Sequence, residues 1–317
     1  MRVSIALCTY NGAAHLREQL DSLANQSRLP DEIVVNDDAS TDNTFDVVQS
    51  FKQSTSIPIH FDRNDSQLNV TKNFERAFAR CTGDLILPCD QDDYWRPQRI
   101  EKQIRAFERD PSVTFSLVQS ELADQRLDPL GKTVFDEQRF GRALQLRLAR
   151  GEGFEALIRH TIAPGHASAF RSSLRDVLLP IPMTCIYDQW LSLVASMLGR
   201  TSFIDERLVL YRQHEKQLVG REKTLADWAR GTTKLDHLQR QFETLEELRR
   251  RTFGRANVDA WRKKLLDEKI EFIKNRARMR RTRGARYRIA ARLFVTGKYH
   301  RLGRGVLTFA RDLRGKT

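Results

Sequence analysis

Four short apolar runs constrain this chain most: Val3-Ser4-Ile5-Ala6-Leu7-Cys8, Ile33-Val34-Val35, Ile57-Pro58-Ile59-His60-Phe61 and Leu85-Ile86-Leu87. Each is too short for a buried helix and reads as a strand. Between them, apolar residues recur at helical spacing: Ala13, Leu16, Leu20 and Leu23, then Phe45, Val48 and Phe51, then Phe74, Ala77 and Phe78. Strands alternating with helices predict an α/β fold, a mostly parallel sheet with helices on both faces. Pro58 lacks a ladder donor and points to an edge strand. Further strands are expected at Val113–Val118 and Leu208–Leu210, with 123–151, polar and mixed in charge, as a mobile loop.

The polar residues after these strands carry the chemistry. In an open α/β sheet, ligands bind beyond the carboxyl ends of the strands. Three polar clusters fall there: Thr9-Tyr10-Asn11-Gly12, Asp37-Asp38 and Asp90-Gln91-Asp92-Asp93. Carboxylates packed as closely as in the last cluster repel one another unless a cation sits between them. Hard oxygen ligands suit Mg²⁺ or Mn²⁺, and these suit a diphosphate. The rival account is an acidic turn ahead of a helix, where Asp is common. Asp-Asp after the second strand is suited to a ribose or a base N–H. No G-x-G-x-x-G follows the first strand and no G-x-x-x-x-G-K-[ST] occurs, which disfavours a dinucleotide fold and a P-loop.

Together V-S-I-A-L-C-T-Y-N-G, V-V-N-D-D-A-S-T-D-N-T and C-D-Q-D-D-Y-W resemble the family 2 glycosyltransferases of GT-A (Rossmann-like) fold. The form D-Q-D-D-Y-W, preceded by K-N-F-E-R-A-F, is most similar to the rhamnosyltransferase-type members, and the likeness covers residues 1–220. It implies a hexosyltransferase that inverts the anomeric centre, takes a dTDP- or UDP-sugar and serves polysaccharide synthesis for the cell envelope, with a glycan or lipid-linked glycan as acceptor. The alternative is a non-catalytic scaffold of the same fold that binds a nucleotide sugar or a membrane surface.

The resemblance also assigns residues. Thr9 and Tyr10 would line the base, with packing on the sheet edge as the rival role of Tyr10. Asp38 would accept the base imide N–H beside Asp37, which the following helix also suits as a cap. Asp90 and Asp92 would bind the nucleotide sugar. Asp92, Asp93 and His214 would hold the Mg²⁺ or Mn²⁺, and Arg212 of the Y-R-Q-H segment would face phosphate. Asp188 of I-Y-D-Q-W-L would be the general base, kept ionised by the dipole of the helix it begins. His166 is either an acceptor contact or locally bonded. The chain departs from the family pattern at Ala39 and at Asn69, where glycine is usual. Ala39 is tolerated unless φ is positive there.

Charge divides the chain. Residues 1–220 carry a net −4 and residues 221–317 a net +17. The second part is expected to be a basic helical extension: a hairpin whose first helix carries Leu235, Leu238, Phe242, Leu245 and Leu248, then an amphipathic helix with Leu302, Val306, Phe309, Ala310 and Leu313 on one face. An anionic membrane surface is the favoured partner of 276–314. No nucleic-acid motif is present, which puts nucleic acid last. The sequence does not fix the oligomeric state. No run of about 20 apolar residues predicts a membrane span, and no leader pattern precedes the first strand. Cys8, Cys81, Cys89 and Cys185 have neither paired nor metal-ligand spacing. These features predict a cytoplasmic protein, peripheral on the inner face of the membrane.

Overall fold

The computed structural model describes residues 1–138, 140–160, 164–214 and 234–314. Its centre is one sheet in the order β3-β2-β1-β4-β8-β6-β9-β5, with β7 on β6. β1 (Val3–Thr9), β2 (Glu32–Asp37), β3 (Ile59–Arg63) and β4 (Leu85–Cys89) form a parallel half. β3 ends the sheet, the edge position that Pro58 signals. Beyond β4 the sheet is mixed. β8 (Ser168–Arg171) pairs antiparallel with β4 and with β6 (Val113–Ala123). β9 (Arg200–Arg212) runs parallel to β6, and β5 (Tyr94–Trp95) closes antiparallel on β9.

The period of two along each strand feeds two cores. Val3, Ile5 and Leu7 of β1, Ile33 and Val35 of β2, and Leu85 and Leu87 of β4 face one way. They meet α1 (Leu16–Ala24), α2 (Thr44–Ser54) and α4 (Arg99–Arg109) through Leu16, Leu20, Val48, Phe51, Ile100, Ile104 and Phe107. Ala6, Val34 and Ile86 face the other way, onto α3 (Val70–Arg80), α7 (Gly153–His160) and α9 (Tyr187–Leu198).

Where the sequence predicts a mobile loop over 123–151, the described residues form regular elements. They hold β7 (Pro129–Thr133), α5 (Val134–Glu137) and α6 (Arg142–Ala149). Thr133 and Asp136 form a reciprocal capping box, and Phe135, Phe140 and Leu148 are buried. Widely spaced apolar residues anchor this stretch, and no window of regular period announces them. α8 (Arg175–Leu178) leads to α9.

Four of the five C-terminal helices extend the second core. α10 (Lys234–Thr252) and α11 (Ala260–Arg281) lie side by side as a hairpin, joined by Arg249–Asp267 at 3.2 Å. Leu238, Leu245, Leu265 and Ile273 belong to the same apolar cluster as Phe74 and Trp190. Arg251 donates to the carbonyls of Val177 and Pro180, and Arg262 to that of Gly199. α12 (Arg283–Val295) follows, then α13 (Lys298–Leu302) and α14 (Val306–Arg314). The expected single amphipathic helix is thus two helices, broken at Gly303 and Gly305. Leu302 is buried, and Phe309 and Leu313 pack on the bundle. The expected boundary at 220 lies outside the described residues. No helix among them is long and apolar enough to cross a membrane.

Candidate active site

The predicted site residues lie at the carboxyl ends of β1, β2, β4 and β9, except Asp188, which begins α9. β1 and β2 end side by side, with Thr9 opposite Asp37. Asp37 is buried and spends its oxygens locally: Oδ1 accepts from Thr9 Oγ1 at 2.7 Å, and Oδ2 accepts from the Ser40 N–H at 2.8 Å. Asp38, also buried, accepts from Asn64 Nδ2 at 2.7 Å and from the N–H groups of Leu68 and Asn69 at 2.8 and 3.0 Å. Both carboxylates therefore build the loops around the strand ends. The two departures from glycine fall on left-handed backbone, with φ of 61° at Ala39 and 95° at Asn69. Asn69 offsets its strain by capping α3, its side chain accepting from the N–H groups of Thr71 and Lys72.

Gln91 fastens the acidic loop to the first one. Its Oε1 accepts from the Tyr10 N–H at 2.8 Å, and its Nε2 donates to the Tyr10 carbonyl at 3.0 Å. A Cβ on Gly12 would stand 2.2 Å from Gln91 Oε1, so a larger residue there would push the Gln91 side chain off its two bonds to Tyr10. The half-buried Tyr10 is thereby held by its backbone.

Asp90, Asp92 and Asp93 follow β4. Burial, then Asp92 and Asp188, raise Asp90 to about 8. Asp93 is pushed well above the ordinary carboxylate range by burial, then by Asp92 and Asp90. Its Oδ1 accepts from the Arg212 N–H at 3.3 Å, and its Oδ2 is buried without a partner. Beneath lies Arg99, fully buried, its guanidinium 3.3 Å from the centre of the Trp95 ring and its Nη1 unpartnered. Burial lowers it to about 9. A cation under a row of acids offsets part of their repulsion. Nothing in the sequence distinguishes Arg99 from an exposed arginine at a helix start.

The ligand atoms of Asp90, Asp93 and His166 lie within 4.8 Å of one another. His166 is buried in the turn before β8, stacked on Tyr211 at 4.3 Å, with Nε2 3.0 Å from Ser120 Oγ. Burial, then Arg99, lowers it to about 3, so the imidazole is neutral. Two carboxylates, one with an orphaned buried oxygen, and a neutral imidazole fit a divalent transition metal. The sequence set Asp92, Asp93 and His214 does not close in this way. Asp92 Oδ2 pairs with His214 Nε2 at 2.9 Å, His214 packs on His15 at 4.9 Å, and Asp93 turns toward Asp90 and His166.

Arg212 is buried, and its donors are occupied. Nε donates to the Asp92 carbonyl at 2.7 Å, Nη1 to the Gln125 carbonyl and Nη2 to Glu18 Oε2 at 2.5 Å. It braces α1, the acidic loop and the β6–β7 turn.

Asp188 occupies the first turn of α9, whose N-cap is Ile186. Its Oδ1 accepts from the Gln189 N–H at 2.6 Å. Burial raises it to about 7, against the N–H groups of Gln189 and Gly165, which lower it. The dipole is expected to keep Asp188 ionised at neutral pH; here desolvation outweighs the N–H groups that favour the charge. A carboxyl near 7, beside a candidate cation cluster, can exchange a proton at physiological pH.

The family model for glycosyl transferase family 2 matches residues 4–178. An uncharacterized glycosyltransferase of Nostoc is 26% identical over 68% of this chain and 65% of its own length. The abequosyltransferase RfbV of Salmonella typhimurium is 33% identical over 29% of this chain and 28% of its own. The chain thus spans less than two-thirds of these relatives. Among solved structures, TarS 1–349 of S. aureus in complex with UDP-GlcNAc aligns over 86% of this chain and 72% of its own, with a TM-score of 0.63 at 18% identity. The mannosyltransferase PcManGT of Pyrobaculum calidifontis, in complex with GDP-Man and Mn²⁺, aligns over 85% and 69%, with a TM-score of 0.54 at 18% identity. These likenesses establish the GT-A fold, and the family match spans more than half of the chain, which therefore belongs to glycosyl transferase family 2.

Proposed function

We propose that this chain transfers a sugar from a nucleoside-diphosphate donor to an acceptor hydroxyl with inversion at the anomeric carbon. The observation that carries the reading is the meeting of Asp90, Asp93 and His166 beside Asp188, whose carboxyl lies near 7. Asp188 takes the proton of the acceptor hydroxyl as its oxygen bonds to the anomeric carbon. The bond from that carbon to the diphosphate breaks, and the diphosphate leaves with the electron pair. Asp90, Asp93 and His166 are the donor set for Mg²⁺ or Mn²⁺, with the Asp92–His214 pair beside it. A cation held by these residues would supply charge compensation for the leaving diphosphate. Tyr10 and the Thr9 backbone line the base, while Asp37 and Asp38 shape the loops against it. Fixing donor and acceptor in line supplies much of the rate.

The donors to test first are UDP- and dTDP-sugars, dTDP-rhamnose among them. The acceptor class is a glycan or a lipid-linked glycan, which would bring the basic helices to an anionic membrane surface. Support for this comes from Tyr287, Phe294, Val295, Val306 and Leu307, all exposed among arginines. The division at residue 220 into a catalytic part and a basic extension belongs to the same reading.

A panel of nucleotide sugars is screened for Mn²⁺-dependent thermal stabilisation, followed by nucleoside diphosphate release. Stabilisation by one donor with metal-dependent release is expected. A chain that binds the donor yet releases no nucleoside diphosphate with or without acceptors is a scaffold, and the transfer reading then fails.

A further inference from the structure

α11, α12 and α13 wall a cavity of about 290 Å³ lined by Arg278, Arg288, Arg292 and Lys298. The spacing explains the convergence. Glu271, Asn275 and Arg278 recur at four and three residues on α11, and Arg288 and Arg292 are four apart on α12. Lys298 opens α13 after the left-handed Gly297. None of the four cations forms an ion pair among the described residues, whereas neighbouring cations do. Arg276 and Arg280 share Asp312, Arg301 meets Glu268 and Lys274 faces Glu246. Glu271 is the one carboxylate on the cavity wall, and Asn275 Nδ2 donates to it at 2.8 Å.

We propose that this cavity binds a phosphate or diphosphate group. Four cations against one carboxylate repel one another until an anion enters. Guanidinium forks suit phosphate oxygens, whereas the Asn275 amide and the Thr296 hydroxyl at the wall are bonded to Glu271 and to the α12 carbonyls, which leaves the cations as the anion's partners. The volume takes a diphosphate with its first substituent. A basic cavity fits the phosphate end of an amphiphile and equally a phosphate on a soluble glycan. The site stands apart from the strand ends and does not depend on the transfer reaction.

The test is calorimetric titration of the full chain with inorganic pyrophosphate in EDTA, so that no divalent cation draws the anion to the acidic loop. Saturable binding is expected, about tenfold weaker in Arg288→Gln and in Arg292→Gln. Both side chains are exposed, so the variants keep the wild-type melting point, and Lys52→Gln on α2 binds as the wild type does. Flotation with phosphatidylcholine vesicles, with and without phosphatidic acid, separates the sources. Binding to phosphatidic acid that pyrophosphate displaces assigns a lipid phosphate. Binding of pyrophosphate with no preference for phosphatidic acid assigns a soluble one. Equal pyrophosphate binding by wild type and both arginine variants, or none beyond a sodium chloride control of equal ionic strength, overturns the proposal.

Discussion

Asp188 concentrates the proposed chemistry in one carboxyl. Its environment is set by burial rather than by its position on α9, which is why its proton is held to about 7. Rate under subsaturating donor and acceptor should therefore climb with pH through about 7 and level above it, as a pH profile of kcat/KM would record. Asp188→Asn should abolish transfer while calorimetry with Mn²⁺ still detects the donor; near-normal transfer by this variant would assign the base elsewhere. The same substitution has a sign in stability. The folded carboxyl keeps a proton that the unfolded one releases between about 4 and about 7, so burial of the charge costs stability as pH rises through that window. Asp188→Asn should melt above the wild type at pH 8, with the gap closing toward pH 4. Backbone strain is a second residue-scale matter. Ala39 has a φ of 61° and no side-chain compensation. Ala39→Gly should gain about 0.5–1 kcal/mol in urea unfolding. Asn69→Gly should change it by less than about 0.5 kcal/mol, because relief of strain is offset by loss of the α3 cap.

Secondary elements meet at the site through struts that touch no reacting atom. Arg212 joins α1 through Glu18, the acidic loop through the Asp92 carbonyl and the β6–β7 turn through the Gln125 carbonyl. Lysine keeps the charge and loses the fork. Arg212→Lys should cost about 2 kcal/mol by leaving a carbonyl unpaired and should weaken Mn²⁺-dependent donor binding, both read by thermal shift. In the C-terminal helices, α12 and α14 leave Val295 and Leu307 at 85% and 61% exposure. The double change of Val295→Ser with Leu307→Ser should leave stability within about 0.5 kcal/mol and reduce co-sedimentation with anionic vesicles. Unchanged co-sedimentation would remove these residues from any membrane contact. The face expected from helical periodicity is a different one: Leu302, Phe309 and Leu313 are spent on the bundle.

At the scale of the whole molecule, the sheet draws titrating groups from distant positions into one low-dielectric place. Asp90 is held at about 8 and His166 at about 3. A divalent cation must displace the carboxyl proton, whereas the imidazole is already neutral. Thermal stabilisation by Mn²⁺ should thus be larger at pH 8 than at pH 5, and His166→Ala should diminish it at both. If stabilisation is the same at the two pH values, the cation is held by groups other than Asp90 and Asp93.

The amino-acid sequence by itself determined the alternation of strands and helices, the strand ends as the place where acidic residues cluster and the basic character of the C-terminal helices, because periodicity, turn residues and net charge are local properties. It also marked Asp90, Asp92, Asp93 and Asp188 through motif and spacing. Only the tertiary structure decided which of these groups share a cleft. Asp93 lies with Asp90 and His166, Arg99 is buried under the acids, Asp37 and Asp38 are bonded into their loops, and burial raises Asp188. Each outcome depends on which side chains approach from elsewhere in the chain and on how much water they exclude, quantities that no window of neighbouring residues contains.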